Sequence, residues 1–75
     1  MDKKIFLLDR EYYSEGFVST LTEKDLESFV SKEDYEDNDT IIKIDANGYE
    51  SVEAALDDAL LIMPEEYYYI ISFGF

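Results

Sequence analysis

Residues 40–73 read TIIKIDANGYESVEAALDDALLIMPEEYYYIISF, and the hydrophobic pattern of this stretch decides the predicted fold. After Ser51, a candidate helix cap, apolar residues recur at the spacing of one helical face: Val52, Ala55, Leu56, Ala59, Leu60 and Met63. Pro64 is expected to end this helix, because proline lacks the amide hydrogen that a helix interior needs.

A strand is predicted on each side of this helix. In residues 40–45, Ile42 and Ile44 share one face with Thr40, and the Asn47-Gly48 pair that follows is typical of a turn. Residues 67–75 are apolar at both parities, which indicates an inner strand that is covered on much of both faces. Residues 40–73 therefore form a β-α-β unit, whose two strands we expect to be parallel with a right-handed crossover.

The first half of the chain supplies the other predicted elements. Residues 4–8 form a strand buried on both faces, and residues 17–20 form a short second strand after a turn. A first helix opens at Thr22 with Asp25 in a capping box, and continues with the apolar stripe Leu26, Phe29 and Val30. The predicted order is β-β-α-β-α-β, an α+β two-layer sandwich with two helices on one face of a small sheet of three to four strands.

The composition predicts a folded but strongly charged chain. The 75 residues carry 19 Asp and Glu against 6 Lys and Arg, for a net charge of −13, while 47% of the residues are hydrophobic and 16% are aromatic. That apolar content is enough for a core, so residues 1–75 are predicted to be one small acidic domain and not a disordered chain. Because carboxylates repel one another, added salt is expected to raise its stability.

The residue types exclude several functions. The chain has no His and no Cys, so it lacks the usual neutral-pH base and any thiolate, and we predict no catalytic residues and no cofactor. Direct binding of nucleic acid needs clustered Lys and Arg, which a charge of −13 opposes. Residues 5–8 are too short an apolar run for a signal peptide, so we expect a cytoplasmic protein that does not enter membranes.

The acidic loop of residues 33–39 raises the question of a calcium site. Asp34, Glu36 and Asn38 match the first, third and fifth ligand positions of an EF-hand loop. The match then fails, because Asp39 stands where the loop needs glycine and Asp45 where it needs glutamate. We therefore predict no specific metal site, and only weak, nonspecific binding of divalent cations to this loop.

The distribution of the carboxylates is the most informative feature. No basic residue follows Lys43, and Glu50, Glu53 and Asp57 share one face of the second helix with Asp58 beside them. Like charges four residues apart destabilise a helix by about 0.2–0.5 kcal/mol per pair, so stability alone does not explain this choice. The predicted partner-binding carboxylates are those of this helix and of the loop: Asp34, Glu36, Asp37, Asp39, Glu53, Asp57 and Asp58.

In size and composition the chain resembles the small acidic inhibitors of phages and mobile elements, which include DNA-mimic anti-restriction and anti-CRISPR proteins and the immunity proteins of nucleases. The resemblance covers no alignable stretch and transfers no residues. It implies a non-enzymatic protein whose carboxylates imitate a phosphate backbone, and which binds and blocks a basic nucleic-acid-binding protein. This is the leading hypothesis.

An alternative hypothesis is a structural or regulatory module that forms a homodimer or joins a larger assembly. The last strand would pair through its edge with another chain, and exposed tyrosines would act as anchors. Tyr67 and Tyr69 are expected to face the core and Tyr68 to be half covered, while Tyr12, Tyr13 and Tyr35 are either core residues or anchors.

Overall fold

The computed structural model describes residues 2–30, 41–59 and 64–75. These residues form three strands and four short helices: β1 Lys4–Asp9, α1 Glu15–Val18, α2 Glu23–Val30, β2 Ile41–Asp45, α3 Val52–Asp58, α4 Pro64–Tyr67 and β3 Tyr68–Phe73. The predicted small α+β fold with a three-stranded sheet is confirmed. The acidic loop of residues 33–39 and the predicted end of the second helix at residues 60–63 lie outside the described residues.

Strand β1 is the centre of the sheet. Residues 5–8 are 0% exposed, as predicted for a strand buried on both faces, and β1 pairs antiparallel with β2 and with β3 in the order β2-β1-β3. Strands β2 and β3 therefore run in the same direction, as predicted for the β-α-β unit, and β1 lies between them. The prediction of β3 as an inner strand is wrong. The central position, where both faces are covered and both edges are paired, is occupied by the strand whose residues 5–8 are four consecutive buried apolar residues.

The helices lie on opposite faces of this sheet, which corrects the prediction that both cover one face. Ile5 and Leu7 pack with Ala55 and Leu56 of α3. Phe6 and Leu8 point to the other side, where they pack with Leu26 of α2, among others. Because successive side chains of β1 alternate between the faces and all are apolar, a helix on one face only would leave half of them in water.

The predicted second strand at residues 17–20 is wrong, because Phe17 and Val18 belong to α1 and Ser19 and Thr20 form the turn after it. Ser14 is its N-cap, with Oγ accepting a hydrogen bond from Phe17 N at 3.3 Å, and Glu15 lies in the first turn. Val18 is the buried residue of α1 and joins the core on the α2 face. The capping geometry and this one buried contact override the strand propensity of the short Phe17-Val18 pair.

The starts of the two longer helices are as predicted. Thr22 Oγ1 accepts from Asp25 N at 3.2 Å, and Asp25 Oδ2 accepts from Thr22 N at 3.0 Å, which completes the capping box. Ser51 Oγ accepts from Ala54 N at 3.1 Å at the start of α3. Helix α3 ends at Asp58 with Ala59 as its C-cap, before the predicted stop at Pro64. Pro64 is instead the first residue of α4, a position where its missing amide hydrogen costs nothing.

Candidate interaction surface

Helix α3 holds its carboxylates on the side away from the sheet. Ala55 and Leu56 are 2% and 7% exposed against the core, whereas Glu53, Asp57 and Asp58 are exposed. The chain enters the helix through a turn in which Asp45 Oδ1 accepts from Asn47 N at 3.0 Å and Gly48 has a φ of 95°. We call Glu53, Asp57 and Asp58 the α3 acidic face. Glu50, which was predicted to share this face, precedes the N-cap Ser51 and lies outside the helix.

The members of this face differ in their surroundings. Within the described residues, Glu53 and Asp57 form no ion pair. Asp58 differs, because its Oδ2 accepts a hydrogen bond from the Tyr49 hydroxyl. That hydrogen bond is the largest cause of a raised pKa of Tyr49, and desolvation and the nearby Asp45 and Asp58 charges act in the same direction. One oxygen of Asp58 is therefore already used in a hydrogen bond within the protein, which its position in the sequence did not indicate.

Of the predicted partner-binding residues, the structure brings Glu53, Asp57 and Asp58 together on one helix. Asp34, Glu36, Asp37 and Asp39 lie outside the described residues, so their position relative to α3 stays a prediction. Tyr35 lies in the same segment.

Two lysines of the sheet are neutralised by helix α2. Lys4 Nζ lies 2.6 Å from Glu23 Oε2, and Lys43 Nζ lies 2.8 Å from Glu27 Oε1. The hydrogen bond to Glu23 is the largest cause of a raised pKa of Lys4, and the close contact of the Lys43 ammonium is the largest cause of a lowered pKa of Glu27. These charges compensate one another on the α2 side of the sheet, opposite the α3 acidic face.

Two further cations contact the protein's own carbonyl groups and rings. Lys3 Nζ donates to Tyr49 O at 2.7 Å, and Arg10 Nε donates to Glu65 O at 2.8 Å. The Arg10 guanidinium also lies 4.4 Å from the centre of the Tyr69 ring. Lys24 is exposed on α2. Within the described residues, no cation forms an ion pair with the α3 acidic face.

A set of exposed aromatic side chains lies at the end of the sheet where β1 ends and β3 begins. Tyr12 and Tyr67 are 70% and 62% exposed, and Phe17 is 45% exposed. Tyr12 contacts Tyr13 edge to face, and Tyr13 is stacked on Phe17. The core prediction is wrong for Tyr67, which belongs to α4, and right for Tyr69, which packs on the α2 side. Tyr67 follows Pro64 by three residues, and proline is favoured at the first position of a helix, so the sequence contained a signal for a helical turn before the strand.

Strand β3 is an edge of the described sheet. Its residues Tyr68–Phe73 contain no charged side chain, and all six are paired in continuous register with β1. The other edge strand, β2, carries Lys43 and Asp45. Charged residues on an edge oppose pairing with further chains, so β3 is the edge with less protection of this kind.

Two other features bear on function. Within the described residues, no group of three or more Asp and Glu side chains is arranged to hold a metal ion. None of the helices in this part of the chain has the length and apolarity that crossing a bilayer requires.

Comparison with known proteins gives no match, since no family model, characterised protein or solved structure is significantly similar to this chain.

Proposed function

We propose that the protein is a non-enzymatic inhibitor that binds and blocks a basic, nucleic-acid-binding protein, with the α3 acidic face as its contact surface. The observation that carries this proposal is the unequal compensation of charge. Lys4 and Lys43 are paired with α2 carboxylates, whereas Glu53 and Asp57 are exposed and have no ion pair within the described residues.

The physical basis is the local potential of a helix that carries one sign of charge. Residues four apart on a helix have Cβ atoms about 5–6 Å apart, so a cation between Glu53 and Asp57 interacts with both carboxylates. Ala55 and Leu56 hold the helix against the core, so binding of a partner costs little conformational entropy of the helix. A row of fixed negative charge fits a cationic groove that otherwise holds a phosphate backbone.

The experiment is capture of partners on the immobilised protein at two salt concentrations, followed by competition with duplex DNA. A basic partner should bind at low salt, release as salt rises, and lose its DNA when the protein is added. The double variant Glu53→Lys with Asp57→Lys should weaken binding at least tenfold. The control Asp2→Lys with Glu15→Lys makes the same change of net charge at exposed positions outside α3.

Two results would contradict this proposal. One is an affinity for the partner that is the same at both salt concentrations. The other is a loss of affinity in the Asp2 and Glu15 control as large as that in the α3 variant, because the effect would then follow net charge and not the α3 acidic face.

A second candidate is a module that self-associates through β3, and the uncharged edge of that strand favours it. Two copies would pair their edges and extend the sheet by backbone hydrogen bonds, which salt does not screen. Sedimentation should then show a dimer at low and high salt. Ser72→Lys, at an exposed edge position, should convert that dimer to a monomer, and a wild-type protein that is monomeric at both salts contradicts this candidate.

A further inference from the structure

A cleft lies at the end of the sheet where β1 ends and β3 begins. It has a volume of about 410 Å³ and is lined by Asp9, Arg10, Glu11, Glu66, Tyr67 and Tyr68. The α3 acidic face contributes no lining residue, and the lining residues come from β1, the turn after it, α4 and β3. We call this the Tyr67 cleft.

The backbone of the Tyr67 cleft is held firmly although the Tyr67 ring is exposed. Arg10 N donates to Tyr67 O at 3.0 Å, and Asp9 pairs with Tyr68 in the β1–β3 ladder. The Tyr67 side chain is nevertheless 62% exposed. A large aromatic ring held in a concave, water-exposed position is typical of an interaction site and not of a core.

The charges around this ring determine the kind of occupant. Of the three carboxylates that line the cleft, Asp9 Oδ1 accepts a hydrogen bond from Glu11 N at 2.7 Å. The other two, Glu11 and Glu66, are exposed and form no ion pair within the described residues. Arg10 lines it as well, but its Nε donates to Glu65 O and its guanidinium lies over the Tyr69 ring. The aromatic face and the two carboxylates together favour a cation.

We propose that the Tyr67 cleft binds an arginine side chain of the basic partner, an inference that rests on the proposed function. A guanidinium is planar, so it stacks on the Tyr67 ring while its edge donates to a carboxylate of Glu11 or Glu66. A lysine ammonium cannot stack and donate in a plane at the same time. The cleft thus adds a site for one side chain to the broader attraction of the α3 acidic face.

The test is a titration of the ¹⁵N-labelled protein with acetyl-Arg-Arg-Arg-amide, followed by amide chemical shifts. Shifts should appear at Arg10, Glu11, Glu66, Tyr67 and Tyr68, be weaker with the lysine peptide, and be absent with the citrulline peptide, which keeps the shape without the charge. Tyr67→Ala should weaken binding about two- to fivefold, as expected for one exposed cation–π contact. Tyr67→Phe keeps the ring and should bind as the wild type does.

The outcomes separate this proposal from the proposed function. Shifts confined to α3, or equal affinity of Tyr67→Ala and wild type, overturn the cleft proposal and leave the inhibitor proposal standing. Cleft shifts that Tyr67→Ala weakens support the cleft proposal. If the partner's affinity is then unaffected by Glu53→Lys with Asp57→Lys, the cleft remains a binding site while the assignment of the α3 acidic face as the contact surface fails.

Discussion

Lys43 Nζ lies 2.8 Å from Glu27 Oε1, and this ion pair fastens helix α2 to the edge strand β2. The Glu27 Oε1 atom is itself buried, so Lys43 provides the charge that its burial requires. The other oxygen of Glu27 lies 3.9 Å from Lys4 Nζ on β1. One carboxylate therefore links the helix to two strands.

Glu27→Gln should make the protein less stable at neutral pH, and this deficit should disappear in acid. The lowered pKa of Glu27 means that its ionised form favours the folded chain above the ordinary pKa of a glutamate. The contribution is lost as the pH falls through the lowered pKa, so the difference between wild type and variant should begin to shrink below the ordinary glutamate pKa of about 4.3 and vanish below the lowered value. Urea unfolding at a series of pH values measures the difference.

The matched control for this prediction is Glu53→Gln, which removes the same charge from an exposed position without an ion pair. It should leave stability unchanged or raise it, because it relieves repulsion on α3. A Glu27→Gln deficit that persists unchanged at pH 3 would show that its cause is packing and not the ion pair.

Tyr49→Phe should destabilise the protein at pH 8, and this deficit should be lost once the tyrosine is ionised. The Tyr49 hydroxyl donates to Asp58, and its pKa is raised. A group whose pKa is raised on folding contributes stability below its unfolded pKa and loses it as the pH rises through the folded value, above about pH 10. Absorbance of tyrosinate should show a late-titrating component that disappears in Tyr49→Phe, and its persistence in that variant would contradict the assignment to Tyr49.

Asp57→Lys should raise stability by on the order of 0.5–1 kcal/mol, because it replaces a Glu-Asp repulsion at i, i+4 with a Glu-Lys attraction. The gain should shrink as NaCl is added, since salt screens both interactions. Thermal unfolding at low and high salt measures it. Asp58→Lys is the informative comparison, because it also removes the acceptor of the Tyr49 hydrogen bond and should therefore stabilise less. Equal gains in the two variants would contradict a structural role of Asp58.

Gly74→Ala should destabilise the protein by about 1–3 kcal/mol, the usual cost of an alanine in the left-handed region. Gly74 has a φ of 89°, and a Cβ atom there would collide with the backbone of Asp2 and Lys3. Gly16→Ala is the control, since a Cβ at that position meets no atom within 4 Å and alanine suits a helix better by about 0.5–1 kcal/mol. Urea unfolding should give opposite signs for the two variants.

Local sequence signals were sufficient where the physics is local. The capping box of Thr22 and Asp25, the cap at Ser51 and the apolar period of α3 each depend on residues a few positions apart. The burial of β1 also followed from its own composition, because four successive apolar residues make both faces of the strand apolar.

The candidate sites were only partly predictable. The exposure of Glu53 and Asp57 followed from their place on the polar side of an amphipathic helix. The exposure of Tyr67 did not, because Pro64 starts a new turn and shifts the beginning of the strand to Tyr68. The Tyr67 cleft also depends on Arg10 and Glu11, which lie far from Tyr67 in the sequence.

The sequence by itself determined the small α+β class, the net charge of −13, the burial of residues 5–8 on both faces of a strand and the polar side of α3. Only the tertiary structure decided that β1 separates β2 from β3, that α2 and α3 lie on opposite faces, and that Lys4 and Lys43 meet Glu23 and Glu27. The physical reason is that pairing order and charge compensation are chosen by contacts between distant residues. In this fold, those contacts neutralise the α2 side and leave the carboxylates of α3 without a paired cation among the described residues.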